Sequence, residues 1–124
     1  MEEWAFDFEW LRIRHFVKDR LGSKDLPDLN AILILIGIQE LGRLKAGKFS
    51  KEEKTDLMHV ASCSLLGLDG YFTFKGLDQD GWPHFEQLKP FSLKGVNAQE
   101  RYLKEKIVQY FKKEFQHEFS TDVN

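Results

Sequence analysis

Apolar residues recur at helical spacing through the first twenty positions. Phe6, Trp10, Ile13, Val17 and Leu21 follow a period of about 3.6 residues and form one stripe. Trp4, Phe8, Leu11 and His15 form a second stripe. At about 100° per residue the two stripes fall on nearly opposite sides of one helix. Glu9, Arg12, Arg14 and Lys18 occupy the flanks. The pattern predicts a helix over residues 4–21, stopped by Gly22-Ser23. One apolar face is enough to seat a surface helix. Two faces predict a helix sandwiched by its own chain or by a partner.

The next apolar run, Ala31 to Ile38, is hydrophobic on all sides. It continues into Gln39-Glu40-Leu41 without a turn signal, too long for an ordinary strand, so it reads as a helix over about 26–44. Asp25 or Asp28 can cap it, and Pro27 suits its first turn. It is expected to be the central, most buried element. The third helix has the clearest start. Ser50 with Glu53 three positions on is a capping box. Leu57, Ala61, Ser64, Leu65 and Leu68 lie on one side, and Asp69-Gly70 ends the helix.

Two aromatic, strand-like segments follow, 71–77 and 82–88, joined by Asp78-Gln79-Asp80-Gly81. A four-residue loop ending in glycine predicts a β-hairpin. The implied register sets Phe74 opposite Phe85 and Lys75 opposite His84. Phe72, Phe74 and Phe85 then share a face turned to the helices. Tyr71, Trp82, His84 and Leu88 share the other. Pro83 lacks an N–H, which marks its strand as an edge. A last helix is expected to open at Asn97 with Glu100 as a second capping box, and to bury Leu103, Ile107, Val108, Tyr110, Phe111 and Phe115.

The fold class is therefore mainly α with one β-hairpin, an α+β chain. It has four helices and an aromatic hairpin between the third and fourth. Residues 1–119 are expected to form a single domain with the hairpin at about 71–88, and 120–124 to fray.

Composition narrows the setting. The chain has 124 residues, 42% hydrophobic and 31% charged, which is globular rather than disordered. Phenylalanine occurs 11 times, so the protein has either a dense core or apolar surface to spare. The net charge of −2 gives no global attraction to nucleic acid. Cys63 is the only cysteine, which precludes an internal disulfide and suits a reducing compartment. The acidic Met1-Glu2-Glu3-Trp4 start is unlike a secretory signal, and the longest apolar run is too short to span a bilayer. A cytoplasmic location, with no membrane contact, is the expectation.

The chemistry-bearing residues are sparse. Glu52, Asp56, His59 and Cys63 line the polar side of the third helix. Asp56, His59 and Cys63 are the candidate metal ligands, but two strong ligands four residues apart do not complete a zinc site. Asp78-Gln79-Asp80-Gly81 resembles part of a calcium loop, yet Gly76 and Gln87 stand where that loop needs carboxylates. Cys63 with His59 lacks the exposure and third group a thiol nucleophile needs. No catalytic residue and no cofactor is assigned, and an enzyme is not expected.

The element order resembles that of a winged helix, which would make the third helix a recognition helix. Its outward face carries Glu52, Asp56 and His59, which would repel phosphate, so nucleic-acid binding is disfavoured. The function expected is a small interaction or structural module that self-associates as a homodimer, with an unidentified protein partner as a variant of that reading. Its interface residues are Trp4, Phe8, Leu11 and His15 on the first helix and Tyr71, Trp82 and His84 on the hairpin. The alternatives are a winged-helix-like nucleic-acid binder and a small metal-binding protein or enzyme.

Overall fold

A computed structural model describes residues 2–42 and 48–115. It contains four helices and a two-stranded antiparallel hairpin: α1 (Glu3–Leu21), α2 (Leu29–Leu41), α3 (Lys51–Gly67), β1 (Phe72–Leu77), β2 (Pro83–Gln87) and α4 (Val96–Glu114). The chain is mainly α with one hairpin between α3 and α4, as the periodicity predicts. Its contacts gather into two compact units, Met1–Asp28 with Lys94–Asn124, and Leu29–Leu93. Residues 120–124, where fraying is expected, lie outside the described residues.

In the first unit α1 packs on α4. Phe6, Ile13 and Val17 of α1 are buried, as are Ile107, Val108, Tyr110 and Phe111 of α4. The α1 stripe holds through Val17, while Leu21 is half exposed. Phe16, which belongs to neither sequence stripe, meets Phe111 and Phe115 edge-on at 5.8 and 5.4 Å between ring centres. Phe111 and Phe115 stack at 5.1 Å. The guanidinium of Arg20 lies over both Phe16 and Phe115, within cation–π range. Near the start of α1, Arg101 of α4 stands 3.8 Å over the Phe6 ring and pairs with Glu3 at 2.8 Å. The seam of this unit is thus aromatic, roofed at both ends by arginine.

α4 begins two residues earlier than expected, with Gly95 rather than Asn97 in the N-cap position and no side-chain cap. The Asn97–Glu100 capping box does not form, because Asn97 already sits inside the first turn. α2 also begins later than expected, at Leu29 rather than Leu26. A residue before proline is disfavoured in helical conformation, which keeps Leu26 out. Pro27 stays outside as well, and its carbonyl accepts a hydrogen bond from Arg14 Nε at 2.8 Å. The expected end of α2 near Leu44 lies outside the described residues.

In the second unit α2 packs on α3. Ile32, Leu33 and Ile36 of α2 and Leu57, Val60, Ala61, Cys63 and Leu65 of α3 are buried. The approach is close at Gly37. A Cβ there would stand 2.7 Å from the Leu57 carbonyl carbon and 2.9 Å from its Cβ. Only a residue without a side chain lets the two backbones meet this way. At the start of α3 the capping box forms as predicted: the Glu53 N–H donates to Ser50 Oγ at 3.1 Å, and the Ser50 N–H donates to Glu53 Oε1 at 2.8 Å.

The hairpin joins α3 through Tyr71, whose N–H donates to the Leu66 carbonyl at 3.1 Å. Phe74 pairs with Phe85 as the register predicts, ring centres 5.9 Å apart. Beyond that pair the register slips. Gly76, not Lys75, stands opposite His84, and Lys75 is the extra residue of a β-bulge. The bulge takes Gly76 to φ +118°, a conformation other residues rarely adopt. The expected inward face is corrected too: Phe74 is 57% exposed, so its ring is not buried under the helices.

Candidate functional site

The second apolar stripe of α1 stands open. Trp4, Phe8 and Leu11 are 73%, 57% and 43% exposed, and His15 beside them is exposed too. The helix is held by its other side, where Phe6, Ile13 and Val17 are buried. Four side chains predicted as interface residues therefore share one accessible face about three turns long. Two are large aromatics, which contribute most per residue when an interface is formed.

A concave feature lies in the unit that holds α2, α3 and the hairpin. A hollow of ≈ 430 Å³ is lined by Asp56, His59 and Val60 of α3 and by Asp78, Asp80, Trp82, Pro83, His84 and Phe85 of the hairpin. Asp56 and His59 are one turn apart on α3 and so face the same way. The hairpin residues reach it because the tight turn folds 78–82 back. Asp78 organises that turn. Its Oδ1 accepts the N–H groups of Asp80 at 2.9 Å and Trp82 at 3.0 Å. Its Oδ2 lies 3.0 Å from His84 Nε2. The Trp82 N–H and then His84 favour the ionised carboxylate and hold the Asp78 pKa below the usual aspartate value. The segment that resembles part of a calcium loop thus uses its first carboxylate to close a turn.

The predicted residues are brought together in part. Trp82 and His84 join Asp56 and His59 around the hollow. Tyr71 stands apart from that lining, edge-on to Phe91 at 5.2 Å and under the Lys89 ammonium. Cys63 is only 2% exposed, and its Sγ lies 3.6 Å from His59 Nε2. Burial pushes the thiol pKa up, which opposes the thiolate a nucleophile or a metal ligand requires. Asp56, His59 and Cys63 share one side of α3, yet no three His, Cys, Asp or Glu residues converge to hold a metal among the described residues.

Two pieces of this geometry escape the sequence reading. The Asp78–His84 contact spans a turn whose side-chain directions depend on the bulge. The pairing of Arg101 with Glu3 joins positions 98 residues apart, and no local pattern signals it. No helix among the described residues is long and apolar enough to cross a membrane. Comparison with protein-family models, with curated proteins and with solved structures finds no match.

Proposed function

We propose that this chain is a small protein-interaction module that self-associates through the open face of α1. The observation that carries the reading is the row Trp4, Phe8 and Leu11, three large apolar side chains exposed in succession on one helix. Burying a Phe or Leu side chain is worth about 1.5–3 kcal/mol, and contiguous patches of this kind are rare on soluble monomers. A two-fold dimer covers the same patch on both copies at once. The hollow offers less for catalysis: the Asp78 carboxylate is engaged in its turn, and the thiol behind His59 is buried. The single buried cysteine suits a reducing, cytoplasmic setting.

The test is a pair of variants, Phe8→Glu and Leu11→Glu, measured by light scattering. Each puts a charge where the proposed interface is dry, and each should convert dimer to monomer while circular dichroism keeps its helical signal. Variants that remain dimeric with intact helices would place the contact elsewhere and remove the reading.

A further inference from the structure

We infer that the two copies of α1 pack antiparallel about a two-fold axis near Leu11, a geometry that rests on the self-association just proposed. The charges of α1 are unevenly spread. Glu2, Glu3, Asp7 and Glu9 lie in or just before its first half. Arg12, Arg14, Lys18 and Arg20, against Asp19 alone, lie in its second half. Parallel packing sets acid on acid and base on base. Antiparallel packing sets the acidic half of each copy on the basic half of the other, and such complementarity selects orientation.

The flank beside the open face makes the match residue by residue. Asp7, Arg14 and Lys18 are seven and eleven positions apart, so they fall within about 20° of one line along the helix. That line runs beside Trp4, Phe8, Leu11 and His15. A two-fold axis perpendicular to antiparallel helices brings this flank against its own copy. With Leu11 on the axis and a rise of about 1.5 Å per residue, Asp7 lies about 6 Å to one side. On the second copy, Arg14 and Lys18 lie about 4.5 and 10.5 Å to that same side. Asp7, which is exposed, falls between those two cations. Phe8 enters between the second copy's Leu11 and His15. On the opposite flank Arg12 is balanced within its own helix by Glu9 at 3.4 Å.

The experiment is a charge swap read by sedimentation equilibrium on the full chain. Asp7→Lys turns four cross-copy attractions into repulsions and Lys18→Asp turns two, and each should weaken the dimer by about tenfold. An equimolar mixture of the two single variants should recover association as a mixed dimer, whereas the double variant D7K/K18D, whose new cation at position 7 still meets Arg14 of the other copy, should recover it only in part. Circular dichroism checks that every variant keeps its helices. If the single swaps dimerise like the unmodified chain while Phe8→Glu still dissociates it, the open face is the interface and the antiparallel geometry is wrong. A dimer indifferent to Phe8→Glu, or an unmodified chain that stays monomeric at high micromolar concentration, overturns the self-association reading and this geometry with it.

Discussion

Gly37→Ala sets two rules against each other and so tests how α2 meets α3. Taken alone, α2 should gain from the change, since alanine is favoured over glycine in a helix by about 0.5–1 kcal/mol. The contact with Leu57 predicts the reverse. A methyl group at Gly37 would stand 2.7 Å from the Leu57 carbonyl carbon and 2.9 Å from its Cβ. Carbon atoms rest about 3.5–4.0 Å apart, so the helices must part by about 1 Å. The atoms in the way belong to backbone and Cβ, which no rotamer change can move aside. Overpacking of this kind costs about 1–3 kcal/mol, and more when backbones must separate. The gain in propensity leaves a net loss of about 1–2 kcal/mol, or a fall in melting temperature of about 3–10 °C. Thermal unfolding followed by circular dichroism at 222 nm reads it, with urea unfolding as a second measure. An alanine variant that melts at or above the unmodified protein would show that α2 and α3 do not approach as described.

Three further outcomes follow from the same geometry. Asp78→Asn should lower stability at neutral pH, and its deficit should shrink on acidification. The folded carboxyl titrates below the unfolded value, so its stabilisation is present above the unfolded pKa and is lost as pH falls through the folded one. Melting temperatures of both proteins between pH 7 and pH 3 check this, and a constant gap would contradict it. Cys63 should react slowly with a thiol reagent in the native protein and fast in denaturant, because it is buried with a raised pKa; equal rates would contradict its placement. The charge swap between Asp7 and Lys18 should behave as set out above, each single change weakening a dimer that an equimolar mixture of the two single variants restores.

Much of the fold is legible in local pattern. The capping box at Ser50 and Glu53, the helical period of α1 and α4, and the Phe74–Phe85 pair are all found as read. These signals are short-range, and each is enforced by backbone hydrogen bonding or by one apolar face. What escapes the reading is set at longer range. The bulge at Lys75 moves His84 onto Gly76, and it rests on a backbone angle at Gly76 that composition alone does not specify. Asn97 and Glu100 have the right spacing for a capping box, but Gly95 starts the helix first. Leu26-Pro27 read as a helix start, yet the segment stays outside α2 and ties to Arg14. Phe16 lies between the two stripes of α1 and still joins the ring cluster, because α4 presents Phe111 and Phe115 there. Of the candidate site, the open α1 face was readable from its second stripe. The hollow was not, because it needs Asp56 and His59 to meet a turn some twenty residues on.

The central claim is that the open face of α1 is covered by a second copy of the chain, and a sedimentation-equilibrium series on the unmodified protein tests it most directly. From low to high micromolar concentration, the mass should rise from the monomer's 14.6 kDa toward twice that value. The Phe8→Glu variant should remain at the monomer mass throughout. An unmodified chain that stays at 14.6 kDa across the whole series would contradict the claim.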